Sequence, residues 1–453
     1  MKVSKINTSV IYKHNYRFEG KHYLNNSSYF SLQLESNDDK CCALSSLAFV
    51  FNPPVFKRQF CKNTPRAVQY FQSSDVQSTF EQSTTYIYKG QAEALNLLVK
   101  EKDILVTGFG TIGNTRFVSK QQDGVCYANN VCRIRATEHA GFLYAFLSGV
   151  YGKAQLNTNA SGSVVRYIEA PGIKKTLIPQ FPSPFQQEVD DLIQEAARLR
   201  EEAAEALKKA KNLITAFYGN EIKDFTYSQG KNIKISSIVQ SYKTRLDPPV
   251  FISKGAEWSK HLTHTSRLGD LKVKMWYPGI FKRAYVNKGL PYIKGASLFD
   301  INPFKTCDHL SKARTPQLEE LWLKEGMLLI SCAGACGLVK MITKEYEDKK
   351  AIGSPDIIRL TSNDLLCTTE YLYAYLQLPI VYDFMQSLKY GSVIERFDIG
   401  NLENVPVVLP TRKISEEVTQ LVRKYMNHTY RAFNAEEKAI RMVEQEIEKW
   451  NKH

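Results

Sequence analysis

The chain has 453 residues, room for two or three domains, and its 43% hydrophobic and 23% charged residues are those of a globular protein, not a disordered one. Its 60 Lys and Arg against 46 Asp and Glu give a net charge of +14, which favours a polyanionic partner such as nucleic acid. No apolar run approaches the roughly 18 residues that span a bilayer, Met1-Lys-Val-Ser-Lys-Ile6 has no signal-like apolar core, and the nine cysteines fit no zinc or disulfide spacing, so a cytoplasmic protein with reduced thiols, no bound metal and no membrane contact is expected.

Taken in chain order, the first distinct segments are Arg17-Phe-Glu19, the turn Asn52-Pro-Pro-Val55 and the basic Phe56-Lys57-Arg58. Strands are predicted at Ile104–Thr107, Arg116–Val118 and Val131–Ile134, the first two joined by the glycine-rich Gly108-Phe-Gly110-Thr-Ile-Gly113. Tyr144–Leu147 reads as a short helix, and Gly162-Ser-Val-Val165 and Ile178-Pro-Gln-Phe-Pro182 close this globular part. A helix of roughly 50 Å, at 1.5 Å per residue, is expected from Pro184 to Tyr218. Ser183 is its N-cap, Pro184 its first helical residue and Gly219 its stop. Val189, Leu192, Ala196, Leu199, Ala203, Ala206, Ala210, Leu213 and Phe217 alternate steps of three and four, which is a coiled-coil seam.

The remainder repeats this plan. Arg245-Leu-Asp247 matches Arg17-Phe-Glu19 at an offset of 228, and Phe281-Lys282-Arg283 matches Phe56-Lys57-Arg58 at 225. In the strand-turn segment from Met327 to Lys344, with a strand at Leu328–Ser331, Gly334 and Gly337 match Gly110 and Gly113 at an offset of 224, and Lys340 takes the place of Arg116. Leu372-Tyr-Ala-Tyr-Leu376, in a short helix, and Gly391-Ser-Val-Ile394 match their counterparts at 229. Val405-Pro-Val-Val-Leu-Pro410 leads into a second helix, Ile414–Trp450. Its Ala432, Ala435 and Ala439 fall on Ala203, Ala206 and Ala210, while its seam runs through His428 and Glu446. A duplicated unit of about 225 residues is therefore expected, each half net basic at +6 and +8. The expected fold is α+β: two tandem mixed α/β domains, 1–183 and 220–411, joined by helices 184–219 and 412–453 as an antiparallel coiled-coil spacer.

Motifs that suggest catalysis do not hold. Gly108–Gly113 fits the spacing of a dinucleotide loop, but a strand, not the required helix, follows it, so a hairpin is expected. Asn52-Pro-Pro-Val55 and Asp247-Pro-Pro-Val250 resemble the Asn/Asp-Pro-Pro-aromatic motif of amino-methyltransferases, but both carry Val at the aromatic position and are read as turns. His261-x-x-His264 is not a zinc pattern, and Ser161-Gly-Ser163 is not a nucleophile elbow. Polar hairpins beside Lys and Arg suit DNA instead. The candidate contacts are Arg17, Lys57, Arg58, Thr111, Asn114, Thr115, Arg116 and Ser163 in the first copy, and Arg245, Lys282, Arg283, Ser331, Lys340 and Ser392 in the second.

The arrangement, rather than any single motif, resembles the DNA-specificity subunit of Type I restriction–modification systems. The order is globular part, strand-glycine hairpin, closing Gly-Ser-Val-Val and Pro segment, long helix, then all of it again. Gly289-Leu-Pro-Tyr-Ile-Lys-Gly-Ala-Ser297 and Ile178–Gln187 add to the likeness. The resemblance implies two target recognition domains, each reading one half of a bipartite DNA sequence, with the helices setting the gap. It implies docking of two methyltransferase subunits that carry S-adenosylmethionine, and of two restriction subunits that use ATP and Mg in a cleaving assembly. No catalytic residue and no cofactor would lie in this chain. The competing readings are a stand-alone nucleic-acid-binding protein, which would purify without a methyltransferase, and a self-contained methyltransferase, which would bind the methyl donor alone.

Overall fold

The computed structural model describes residues 8–13, 26–79, 83–162, 166–218, 233–241, 243–334, 336–391, 393 and 395–450; Arg17, Ser163, Gly219 and Ser392 lie outside them. Two compact units are present: residues 1–201 together with 431–453, and residues 202–430. Four helices recur below: α1 (Ala140–Ser148), α2 (Ser183–Phe217), α3 (Thr369–Leu376) and α4 (Arg412–Lys449). Both α2 and α4 contribute residues to each unit.

Eight strands form the two main sheets of the first unit: β1 (Ala48–Phe51), β2 (Phe60–Cys61), β3 (Ala67–Phe71), β4 (Tyr86–Tyr88), β5 (Ile104–Thr107), β6 (Thr115–Phe117), β7 (Cys126–Tyr127) and β8 (Val131–Ala136). They form an antiparallel sheet in the order β1-β8-β5-β6 and a smaller sheet in the order β2-β4-β3-β7, whose last pair is parallel. The second unit repeats both with β9 (Val273–Trp276), β10 (Tyr285–Val286), β11 (Leu290–Ile293), β12 (Asp308–Leu310), β13 (Leu328–Ser331), β14 (Val339–Met341), β15 (Ile352–Gly353) and β16 (Ile357–Ser362). The orders are β9-β16-β13-β14 and β10-β12-β11-β15, again with one parallel pair, β11-β15. The predicted glycine hairpins are therefore β5-β6 and β13-β14.

Strand β5 is apolar throughout because both its faces are covered. Ile104 and Val106 join a core with α1, while Leu105 packs on Phe71 and Tyr127 beneath the small sheet. Strand β13 does the same, Leu328 and Ile330 on one side and Leu329 on the other.

A buried arginine ties the two sheets of each unit together. Arg133 on β8 donates to the carbonyls of Leu97 and Ala128 at 2.9 Å, of Tyr127 at 2.6 Å and of Val131. Arg359 on β16 donates to Gly353 at 2.8 Å, Ser354 at 2.9 Å and Ile357 at 2.6 Å. Both are 0% exposed. The three acceptors of Arg359 are the repeat counterparts of Tyr127, Ala128 and Val131, at the same offset of 226 that separates the arginines themselves. Burial draws each guanidinium down to about 10, so both stay protonated at neutral pH. The small-sheet strand and the turn that leads into the large sheet thus close around one cation.

The long helices run antiparallel within each unit. In the first, Val189 and Ile193 share a core with Ala439, Ile440, Val443 and Ile447, and Ala196 and Leu199 pack with Ala432 and Ala435, so early α2 residues meet late α4 residues. In the second, Ala210, Ile214 and Tyr218 share a core with Val418, Val422 and Met426, and Ala203 and Ala206 are 3% exposed. Three seam positions differ from expectation. Ile193, not Leu192, is the fully buried residue; Leu213 is half-buried; and Phe217 is 43% exposed while Tyr218 turns in, its hydroxyl 3.1 Å from the Val408 carbonyl. From Ala210 the buried positions fall every fourth residue, where α2 packs into the core of the second unit. Glu446 lies off the seam, paired with Lys449 at 2.5 Å.

The seam of the first unit also contains a charge. Glu436, 1% exposed, takes the Arg200 guanidinium at 2.5 Å and the Tyr144 hydroxyl of α1 at 3.1 Å. In the second unit the equivalent tyrosine, Tyr373 of α3, instead bonds the Tyr425 hydroxyl of α4 at 3.1 Å.

Two outcomes follow for stability. Arg133→Ala or Arg359→Ala, by orphaning buried carbonyls, should lower the unfolding free energy of the unit concerned by about 3–5 kcal/mol in urea titration, and Lys, which cannot fork, should restore only part. Arg200→Ala should cost about 3 kcal/mol by stranding the Glu436 carboxylate, whereas the double change Arg200→Met with Glu436→Leu should be near neutral.

Candidate nucleic-acid interface

In each unit three connections meet at one end of the large sheet. Strands β1 and β5 both run antiparallel to β8, so β1 ends at Phe51 and β5 at Thr107 where β8 begins. The corresponding points in the second unit are Trp276, Ser331 and Ile357. Here lie the loop 52–59, the hairpin turn 108–114, and the returning segment 166–170; the second unit has the loop 277–284, the turn that follows Ser331, and the segment 395–397.

The hairpin turn is shaped by glycine. Gly110 and Gly113 have φ of +74° and +80°, and Gly334 and Gly337 +71° and +78°, the left-handed region that side chains disfavour. A hydroxyl at the strand end fixes the turn from inside. Thr107 Oγ1 donates to the Thr111 carbonyl at 2.5 Å and accepts the Asn114 amide at 3.1 Å, and Ser331 Oγ accepts the Leu338 amide at 3.1 Å. The returning segment docks by backbone bonds, Ile168 to Gly108 and Phe397 to Cys332, both 2.9 Å. What each turn displays differs. Phe109 lies stacked on Tyr167 at 5.5 Å, both side chains more than a third exposed, where the second unit has Ala333 and Arg396 across the same backbone bridge.

The loop beside the turn carries the same Phe-Lys-Arg in both units. Lys57 and Lys282 are exposed. Arg58 Nε donates to the Tyr70 hydroxyl at 2.7 Å, and Arg283 Nε to the Tyr292 hydroxyl at 2.7 Å, each guanidinium lying over the same ring at 5.8 and 5.7 Å. The tyrosines rise from β3 and β11 of the small sheets and are about 1% exposed, so each arginine stands on a fixed post. Arg283, held above the usual guanidinium range chiefly by its bond to Tyr292, also lies 3.8 Å from Asp356.

The other candidate contacts divide. Thr111 is exposed and Asn114 half-buried in the turn. Thr115, Arg116, Arg245, Ser331 and Lys340 are instead interior, each at most 9% exposed. Thr115 bonds Ser148 at 2.6 Å. On the opposite face of β6, Arg116 donates to Gln122 at 2.9 Å and the Ser78 carbonyl at 2.7 Å. Lys340, at the same place in β14, faces Asp300 and Glu345; burial raises both carboxyls, Asp300 to about 6, and the lysine opposes the rise. Arg245 is bound to Asp247 at 2.8 Å and to the carbonyls of Leu388 and Lys389. The repeated cation after the hairpin is thus an internal tie. Tyr70 and Tyr292 are not among the residues singled out from the sequence, although each follows its Arg by about ten residues, on the second strand after it.

Asn52-Pro-Pro-Val55 finds its counterpart in Tyr277-Pro-Gly-Ile280, not in Asp247-Pro-Pro-Val250, where Pro249 opens a short helix. All nine cysteines are unpaired, and burial raises Cys126, Cys132 and Cys332 to about 12. Among the described residues no cluster of His, Cys, Asp and Glu could hold a metal ion, and no helix is long and apolar enough to cross a membrane.

Residues 278–439, which contain the second loop, the second hairpin and most of α4, match the family model described as Type I restriction modification DNA specificity domain. No curated protein matches the chain. Among solved structures, the S subunit of a Type-I restriction-modification system from M. genitalium is similar at 12% identity over 89% of this chain and 95% of that one, with a TM-score of 0.33. The HsdS subunit from Thermoanaerobacter tengcongensis is similar at 16% identity over 90% of this chain and 95% of that one, with a TM-score of 0.27. A chain from a study of complex assembly and conformational transition of the type I R-M system is similar at 17% identity over 90% and 96%, with a TM-score of 0.27. The family match thus identifies residues 278–439 as a Type I restriction modification DNA specificity domain, and the first unit repeats the strand order of the unit that holds it.

Proposed function

We propose that each unit reads one half of a bipartite DNA target, and that α2 and α4 set the gap between the halves and dock the methyltransferase subunits. The observation that carries this reading is the contrast within each candidate interface. Lys57-Arg58 on Tyr70 and Lys282-Arg283 on Tyr292 are alike, while the adjoining turns display Phe109 and Tyr167 in one unit and Ala333 and Arg396 in the other. Whatever the two half-sites are, both have the same phosphodiester backbone, and the constant element suits it; the differing turns suit differing bases. Methyl transfer from S-adenosylmethionine, and ATP- and Mg-dependent cleavage where it occurs, belong to the partner subunits, and this chain supplies position.

Replacing Lys57 and Arg58 together by Ala should weaken binding across sequences and reduce the slope of log affinity against log salt by about two, close to one for each phosphate no longer neutralised. Arg116→Ala, in protein that still folds, should leave the slope unchanged. An unaltered slope in the first variant would count against the phosphate assignment.

Deleting seven residues of α2 within 196–209, with the matching seven of α4, removes about 10 Å of helix. Sequencing of methylated adenines should then show the two half-sites closer by about three base pairs at 3.4 Å each. An unchanged gap would refute the spacer role.

A further inference from the structure

The constant loop carries a second repeated feature. Val55 is 90% exposed and Ile280 is 91% exposed. They occupy the same place in the repeat, at an offset of 225, each in the loop just ahead of its Lys-Arg pair. A single exposed aliphatic side chain is ordinary and calls for no explanation. This pair differs in two respects. The exposure recurs in both units although the neighbours have changed, Asn52 to Tyr277 and Pro54 to Gly279.

The side chain is also held from both sides. Pro53 and Pro278, two positions before it, are buried. Phe56 packs on the cluster of Tyr70 and Ile87, and Phe281 on that of Tyr292 and Leu310. In the first unit Asn52 donates to the Asn129 carbonyl at 3.3 Å and accepts the Ala170 amide at 2.8 Å, and the Lys57 carbonyl takes Gln91 at 2.9 Å. The loop therefore presents a stiff β-branched group that loses little side-chain freedom when covered. Its surroundings specify what covers it. With Lys57-Arg58 and Lys282-Arg283 alongside, the complementary surface is a polyanion that also offers apolar area within a few ångströms of its charges. Duplex DNA offers that at the groove wall, where deoxyribose carbons and base edges lie between phosphates.

We propose that Val55 and Ile280 are apolar groove contacts, one per half-site, each seated against deoxyribose and base edge while the neighbouring Lys-Arg pair holds the flanking phosphates. The proposal rests on the DNA reading of these units and adds to it a non-ionic, sequence-independent component of affinity.

The test uses the full chain and mixed-sequence duplex DNA, with affinity measured over a range of salt. Val55→Ser with Ile280→Ser should weaken binding about tenfold at every salt concentration, leaving the salt slope at its wild-type value, because the same counterions are released. Val55→Ile with Ile280→Val should bind as wild type. Both residues are exposed, so thermal unfolding should be unchanged in all variants. Equal affinity of the Ser variant and wild type would overturn the proposal, as would a fall in salt slope, which would mean that the loop had merely misplaced its arginine. Failure of the wild-type chain to bind duplex DNA at all would instead remove the DNA reading, and this inference with it.

Discussion

A guanidinium enclosed by backbone carbonyls is the constraint on which each unit rests. Arg133 and Arg359 gather carbonyls from the turns that join the small sheet to the large one, and those turns bend as they do because a buried cation is there to receive them. The junction then fixes where β8 and β16 begin. Those strand starts fix the end of the sheet at which the interface loops lie. A hydrophobic contact at the same place would tolerate a slide of one strand along the other, whereas a fork with several short bonds does not.

Around that fixed point the two units keep and change different things. Elements that set geometry are retained in kind: the left-handed glycines of the hairpins, the hydroxyls of Thr107 and Ser331 that brace them, and the Arg-Tyr posts. The tips are free to vary because their bracing is internal to the strand ends and turns. The stacked Phe109 and Tyr167 in one unit, and Ala333 and Arg396 in the other, hang on the same antiparallel backbone bridge. The family match and this division of labour agree.

Much of this is legible in the sequence because the features that repeat are those with strict steric demands. Glycines at positive φ cannot be replaced cheaply, so Gly110, Gly113, Gly334 and Gly337 stand out and mark the hairpins. The long helices are legible from periodicity until their packing partner changes, which is where Phe217 gives way to Tyr218. The candidate contacts are less legible. Arg116 and Lys340 adjoin a polar turn and read as surface, yet strand alternation points them inward, and only the opposite layer shows what they meet. Arg133 lies between apolar residues of β8 and gives no sign that it is enclosed. The counterpart of Asn52-Pro-Pro-Val55 is hidden by a literal match elsewhere, since Tyr277-Pro-Gly-Ile280 keeps one proline and a β-branched residue but not the spelling.

The division of α4 between the units bears on how the protein is made. The core of the first unit includes Ala439, Ile440, Val443 and Ile447, beside Val189, Ile193 and the buried face of α1. Those four residues are synthesised after the whole of residues 202–430. During translation the N-terminal unit must therefore wait, with an open apolar face, while the second unit, contiguous in the chain, can complete its own core earlier. Order of synthesis and order of folding are inverted, and a ribosome that stalls late leaves the first-made half as the unfinished one.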